Sequence, residues 1–312
     1  MQTFPSFTDF KELARHGAVV PVWREFLFDT ETAVTAYHKI ARPPFGFLLE
    51  SVVGGEQWAR YSFLGSRPRE AWRLQGDGVS IWKPETGWRE EEVSDPLGDL
   101  ERRLKARTPA SVPGLPRFWG GAVGFFGYDV VRHIERLPGS PSADLDLPDG
   151  IFLFTDMVLV IDNLLGRGMA VVAVETDPDL TEEELKARYQ EGGDRAQDLV
   201  QELERGSGLP PLELRPEPQE DPPFSSSMSR EAYEAGVQRI REYIQAGDAF
   251  QVVLSQRLDM PFEARPIDLY RVLRTVNPSP YLYFLELDGL SLVGASPEVL
   301  VRVEDGRVTV RP

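Results

Sequence analysis

Between Gly247 and Asp259 the residues alternate in character with a period of two, the signature of a strand. Phe250, Val252, Leu254 and Leu258 fall on one face of that expected strand. Gln251, Val253, Ser255 and Arg257 fall on the other. Gln251, Ser255 and Arg257 therefore form a polar row able to meet a ligand. By composition alone such a row is a solvent-facing sheet face. A glutamine there cannot serve as a general base, but it can hydrogen-bond a substrate or ammonia without generating hydroxide. Other chemistry is narrowed by what the chain lacks. It has no cysteine, which excludes disulfides, thiolate metal sites and a cysteine nucleophile. Its three histidines, His16, His38 and His133, are too far apart for a metal-ligand spacing and read as surface or capping residues.

The elements around this row are legible from periodicity and caps. Upstream, Tyr233, Val237, Ile240 and Ile244 recur at helical spacing behind Ser229, a plausible N-cap, and Gly247 ends the helix. Downstream, Ile267 to Val276 is helical and stops at Asn277-Pro278. Tyr281 to Leu287 and Leu290 to Ala295 then flank Asp288-Gly289, a type I′ hairpin signal, and a second such turn stands at Asp305-Gly306.

Five segments occur together in this chain: FLLES at Phe47 to Ser51, GGAVGFFGYDVVR at Gly120 to Arg132, GDAFQVVLSQR at Gly247 to Arg257, NPSPYLYF at Asn277 to Phe284, and GASPEVLVRVEDGRVTVRP from Gly294 onward. In this order they resemble anthranilate synthase component I, a chorismate-utilising family. The resemblance implies an α+β fold of mostly antiparallel sheets packed face to face with helices outside, incomplete in this chain. It implies conversion of chorismate and ammonia to anthranilate and pyruvate in tryptophan biosynthesis: ammonia adds to the ring, the ring hydroxyl leaves, and the enolpyruvyl group departs as pyruvate. Mg²⁺ is implied as cofactor at the substrate carboxylate, with ligands expected beyond Pro312 and none in this chain. On that ground the chain alone is expected to be inactive.

Gln251 is the catalytic residue the resemblance singles out. Water-adding relatives carry a lysine at the matching position, so Gln251 fits an amine-adding member. Glu50, Ser51, Pro280, Tyr281 and Leu282 match the family's feedback site for tryptophan. An indole needs an apolar slot and its amino-acid portion needs polar partners. With no cysteine here, glutamine nitrogen implies a glutamine amidotransferase subunit as partner, hence a hetero-oligomer. Aminodeoxychorismate synthase component I and a catalytically dead tryptophan-binding fragment are the alternatives.

Composition is consistent with these expectations. The 312 residues allow two domains, and a hydrophobic content of 41% supports an ordinary core. A net charge of −16 argues against a nucleic-acid surface. No apolar run approaches the roughly 18 residues of a membrane span, and no signal peptide opens the chain, so a cytoplasmic location is expected. Residues 206–228 hold six prolines and a run of serines and read as a linker between an N-terminal region, 1–205, and the start of a chorismate-utilising domain, 229–312.

Within the N-terminal region, Phe45 to Val53 reads as a strand with Phe47, Leu49 and Ser51 on one face and Leu48 and Glu50 on the other. Ile151 to Ile161 reads as one strand of a hairpin, and Leu180 to Glu204 as a helix interrupted at Gly192-Gly193. The glycines from Gly120 to Gly127 lack a nucleotide-loop register and instead point to close backbone approach between packed sheets.

Overall fold

The computed structural model describes residues 1–16, 19–51, 60–139, 145–213 and 223–310. Val53 and the 214–222 part of the linker lie outside the described residues. By internal contacts the chain divides into two units, Met1–Leu209 together with Leu269–Pro312, and Pro210–Asp268. The region read as 229–312 is thus shared between them.

The first unit opens with β1 (Thr3–Phe4), α1 (Phe7–Leu13), β2 (Val19–Leu27), α2 (Ala33–Ile40), β3 (Phe45–Glu50) and β4 (Tyr61–Ser66). A meander follows, β5 (Glu70–Gln75), β6 (Gly78–Lys83) and β7 (Gly87–Glu91), then α3 (Pro96–Lys105) and β8 (Gly121–Phe126). After a 3₁₀ turn at Tyr128–His133 come β9 (Gly150–Thr155), β10 (Met157–Asp162), β11 (Arg167–Glu175) and α4 (Glu182–Leu203). The second unit contains β12 (Ser225–Ser226), α5 (Arg230–Ala246) and β13 (Leu258–Asp259). Helix α6 (Pro266–Val276) leads back into the first unit, which ends with β14 (Tyr281–Leu287), β15 (Ser291–Ser296), β16 (Val301–Glu304) and β17 (Arg307–Val310).

Two antiparallel sheets carry the first unit. One has eight strands in the order β1-β2-β11-β10-β4-β3-β14-β15, the other five in the order β7-β6-β5-β9-β8. Alternation along the strands builds two layers of core. Phe45 and Phe47 of β3, Val158 and Val160 of β10, and Leu285 and Leu287 of β14 meet Ala71, Ile151 and Leu153 of the five-stranded sheet. The opposite face of that smaller sheet, with Trp72, Leu74 and Phe154, packs on Leu100 of α3 and Val130. Helices α2 and α4 cover the outer face of the larger sheet. The face-to-face α+β sandwich expected from the resemblance is the observed fold.

Three local readings change. Ile151 to Ile161 is two strands in different sheets, because the chain turns at Thr155-Asp156. The turn is held by the Thr155 hydroxyl on the Met157 carbonyl (2.9 Å), and the Asp156 carbonyl accepts from Ala173 N–H (2.6 Å). Helix α4 runs unbroken through Gly192, where a Cβ would come within 2.6 Å of a Val174 methyl. The glycine serves close helix–sheet packing and does not break the helix. Gly124 likewise permits close approach, but to the Ile151 carbonyl of its neighbour in the same sheet and not between sheets.

In the second unit, Ser229 caps α5 by accepting from Ala232 N–H, and Gly247 ends it at φ +84°. The strand expected over 250–258 does not form. Only Leu258–Asp259 pairs, with Ser225–Ser226, extended by Ser227 N–H on the Arg257 carbonyl (2.9 Å). Alternation specifies a strand only when a neighbour takes its backbone groups, and none runs beside 250–257 among the described residues.

Candidate functional site

Two segments more than two hundred positions apart in sequence meet at one place in the larger sheet. Strands β3 and β14 are antiparallel neighbours, and Glu50 stands directly opposite Leu282. Extending that register by one step sets Ser51, just past β3, across from Tyr281. The sheet pairing thus brings Glu50, Ser51, Tyr281 and Leu282 together, with Pro280 one residue before β14.

Alternation splits these residues between two faces. Glu50 and Leu282 share the helix-covered face with Leu48 and Phe284. Ser51 and Tyr281 belong to the face carrying Phe47, Leu49 and Leu285, which looks toward the smaller sheet.

On the helix-covered face, Glu50 is only 7% exposed, so its carboxylate needs strong partners. Helix α6 supplies them from one face, four residues apart. Tyr270 donates its hydroxyl to Oε2 at 2.7 Å, and Arg274 donates Nη2 to Oε1 at 3.1 Å. The Tyr270 ring packs against Phe284 at 5.8 Å between centroids. Burial, then the charge of Glu50 and the hydrogen bond to it, push the Tyr270 phenol far above the ordinary tyrosine range. Glu50 therefore fastens α6 to the sheet, and its carboxylate is already engaged. Tyr270 and Arg274 were not singled out from the sequence. The signal was available: an acid inside the apolar run Phe47 to Leu49 must find a donor, and α6 carries a tyrosine and an arginine at i and i+4.

On the other face, the Ser51 hydroxyl oxygen is buried and has no hydrogen-bond partner among the described residues; on the helix-covered face the same holds for Arg274 Nε. Tyr281 is half-buried, and Arg302 reaches its hydroxyl at 3.5 Å. The loop before β14 is tied down by Ser279, 3% exposed, whose hydroxyl donates to the Ser296 carbonyl and accepts from Tyr281 N–H at 3.4 Å. With prolines on both sides of Ser279, this loop has little freedom left to lose on binding. The result is a rigid edge carrying one aromatic ring and one buried hydroxyl without a partner among the described residues. Such an edge can accept a small ligand with a flat apolar portion and a polar end.

Gln251 lies elsewhere. It is exposed in the irregular 250–257 segment of the second unit, and Phe250 beside it is 88% exposed. Among the described residues no group of three or more His, Cys, Asp or Glu side chains is arranged to hold a metal ion. Among the same residues no helix is long and apolar enough to cross a membrane.

The chorismate binding enzyme family matches residues 62–312. The anthranilate synthase component 1 of Pseudomonas putida is 46% identical over 311 residues, covering 97% of this chain and 61% of that protein. The protein of the same name from Aquifex aeolicus is 37% identical, covering 98% of this chain and 61% of its own length. Among solved structures, anthranilate synthase component I from Streptococcus pneumoniae aligns with a TM-score of 0.59 at 25% identity, over 91% of this chain and 59% of that one. The chain therefore spans about three-fifths of the length of these relatives.

Proposed function

Because the chain belongs to the chorismate binding enzymes, we propose that it works as part of the large subunit of an anthranilate synthase. In the whole protein, chorismate and ammonia give anthranilate and pyruvate, the first committed chemistry toward tryptophan. The relatives that match almost the entire chain carry that name, and this observation carries the reading. Ammonia comes from a glutamine amidotransferase subunit, since this chain has no cysteine to attack glutamine. Mg²⁺, held by ligands other than the residues described, would supply charge stabilisation at the substrate carboxylate. Gln251 hydrogen-bonds substrate or ammonia.

The edge formed by β3 and β14 is read as a tryptophan-binding regulatory site. Its support is the direct pairing of Glu50 with Leu282 and the buried hydroxyl of Ser51, which has no partner among the described residues. Two groups have different parts. Ser51 and Tyr281 contact the ligand, whereas Glu50, through Tyr270 and Arg274, holds the edge in place. Tryptophan binding must then lower affinity for chorismate or slow its turnover, since coupling is reciprocal for binding.

The test is inhibition of anthranilate formation by tryptophan in the whole protein. Ser51→Ala removes one neutral hydrogen bond and should raise the inhibition constant roughly two- to tenfold. Tyr281→Ala removes a ring as well and should raise it more. Turnover without tryptophan should stay close to that of the unaltered protein. Unchanged inhibition in both variants would remove the tryptophan site from this edge.

A further inference from the structure

The first unit contains a cavity of about 520 Å³ at the corner where the chain crosses between sheets. A second, of about 450 Å³, adjoins it and shares Arg69, Arg107 and Ala173. In a chain of net charge −16, the concentration of arginine here is unusual. Arg69, Arg103, Arg107 and Arg117 line the first cavity, and Arg188 and Arg195 line the second.

Most of these guanidinium groups have partners. Arg103 is held by Asp99, Glu70 and Glu91. Arg107 pairs with Glu175, and Arg195 with Asp156 at 3.0 Å. Arg188 donates to the Glu175 carbonyl at 2.8 Å. The Arg69 guanidinium has no hydrogen-bond or ion-pair partner among the described residues. It lies over the Phe154 ring, 5.3 Å from the centroid. Burial, only partly offset by the charges of Glu70 and Asp156, lowers the Arg69 pKa. Burial, followed by the nearby charge of Arg69, lowers that of Arg107 to about 10. Two half-buried cations thus repel each other, and one of them has all its donors unspent.

The remaining walls decide what relieves this. Leu115 and Trp119 give an apolar side, while the buried Phe154 ring backs Arg69. Asp305 also lines the first cavity and, with Glu304, holds Arg117; Asp156, Glu175 and Glu191 line the second, so the paired arginines are largely neutralised and Arg69 supplies the surplus of positive charge. A polyanion would meet these carboxylates. A single carboxylate would match the planar fork of Arg69, and a flat apolar body would lie along the aromatic wall. The volume is in the usual range for small-molecule sites, roughly 300–1,000 Å³. We propose that this cavity is a binding site for a small aromatic monocarboxylate, with its carboxylate on Arg69 and its ring against Leu115 and Trp119.

This site is separate from the β3–β14 edge and stands or falls independently of the tryptophan reading. Phenylacetate is the probe, titrated into the unaltered chain by calorimetry. Phenylacetamide keeps the shape without the charge, and sulfate keeps charge without the ring. Phenylacetate should bind at one site per chain, and both comparison compounds at least about tenfold more weakly. Arg69→Gln should weaken phenylacetate by about tenfold or more. Equal binding of the acid and its amide, sulfate binding as well as phenylacetate, or no saturable binding of phenylacetate would overturn the proposal. The comparison of acid with amide needs no variant, so it decides the matter even if Arg69→Gln fails to fold. A folded Arg69→Gln with unchanged affinity would overturn it too.

Discussion

Replacing Tyr270 by phenylalanine removes a single oxygen from the first unit. That oxygen lies on a side chain with no exposed surface, and it donates at 2.7 Å to a carboxylate that is 7% exposed. A hydrogen bond to a charged group contributes about 1.5–3 kcal/mol. Arg274 keeps hold of the other oxygen at 3.1 Å, and a third of its side chain is exposed, so some solvent can compensate. The lower half of the range applies, about 2 kcal/mol. For a protein of this size that is roughly a 4–8 °C fall in melting temperature.

Tryptophan fluorescence reports on the right unit, because all six tryptophans fall between Met1 and Leu209. Urea unfolding followed at those tryptophans gives the free energy, and repeating it in a Glu50→Gln background isolates the coupling. There the tyrosine meets a neutral acceptor, and its removal should cost only about 0.5–1.5 kcal/mol. A cost below about 0.5 kcal/mol in the unaltered background, or equal costs in both, would refute the assignment of Glu50 as the fastening of α6.

Asp162 offers a pH test. Burial alone would raise its pKa, but Arg60 at 2.8 Å and the N–H groups of Leu165 and Leu164 outweigh that and hold it below the ordinary value of 3.8. A depressed carboxylate stabilises the fold above its unfolded pKa and loses that contribution as pH falls through the folded one. Between about pH 5 and about pH 3 the unaltered chain should therefore lose more melting temperature than Asp162→Asn, as thermal scans across that window would reveal. Gly192→Ala improves helix propensity by about 1 kcal/mol but drives a Cβ to 2.6 Å from Val174, and overpacking costs about 1–3 kcal/mol. Urea midpoints should show a net loss of about 1 kcal/mol. In the whole protein, Gln251→Ala should lower turnover in steady-state assays while shifting the tryptophan inhibition constant less than Ser51→Ala does.

What could be read in advance depended on how local its cause was. Turn chemistry is local: Asp288 and Gly289 both take positive φ (51° and 90°), as a type I′ hairpin requires, and Asp305-Gly306 repeats the pattern. Capping is local too, as Ser229 and Gly247 show. The two faces of Phe45 to Glu50 followed from alternation and agree with the burial of Phe47 on one side and Leu48 on the other. The failures needed distant information. Residues 250–257 have strand composition and, among the described residues, no strand beside them. The break at Asp156 is imposed by Ala173 and Arg195, from β11 and α4. The engagement of Glu50 by Tyr270 and Arg274 became visible only once β14 was known to lie against β3 and α6 against Glu50.

The pairing of β3 with β14 has a consequence for synthesis on the ribosome. Leu282 follows its partner Glu50 by 232 positions, and at about 5–20 residues per second that stretch takes roughly 10–50 s to emerge. Throughout that interval one edge of β3 offers open backbone donors and acceptors along an apolar row, a template for pairing with a neighbouring nascent chain. The wait exceeds the microseconds a hairpin needs to form by many orders of magnitude. The vulnerable period in the life of this protein is thus its translation, and yield in a host cell should respond to elongation rate and to chaperones that shield strand edges.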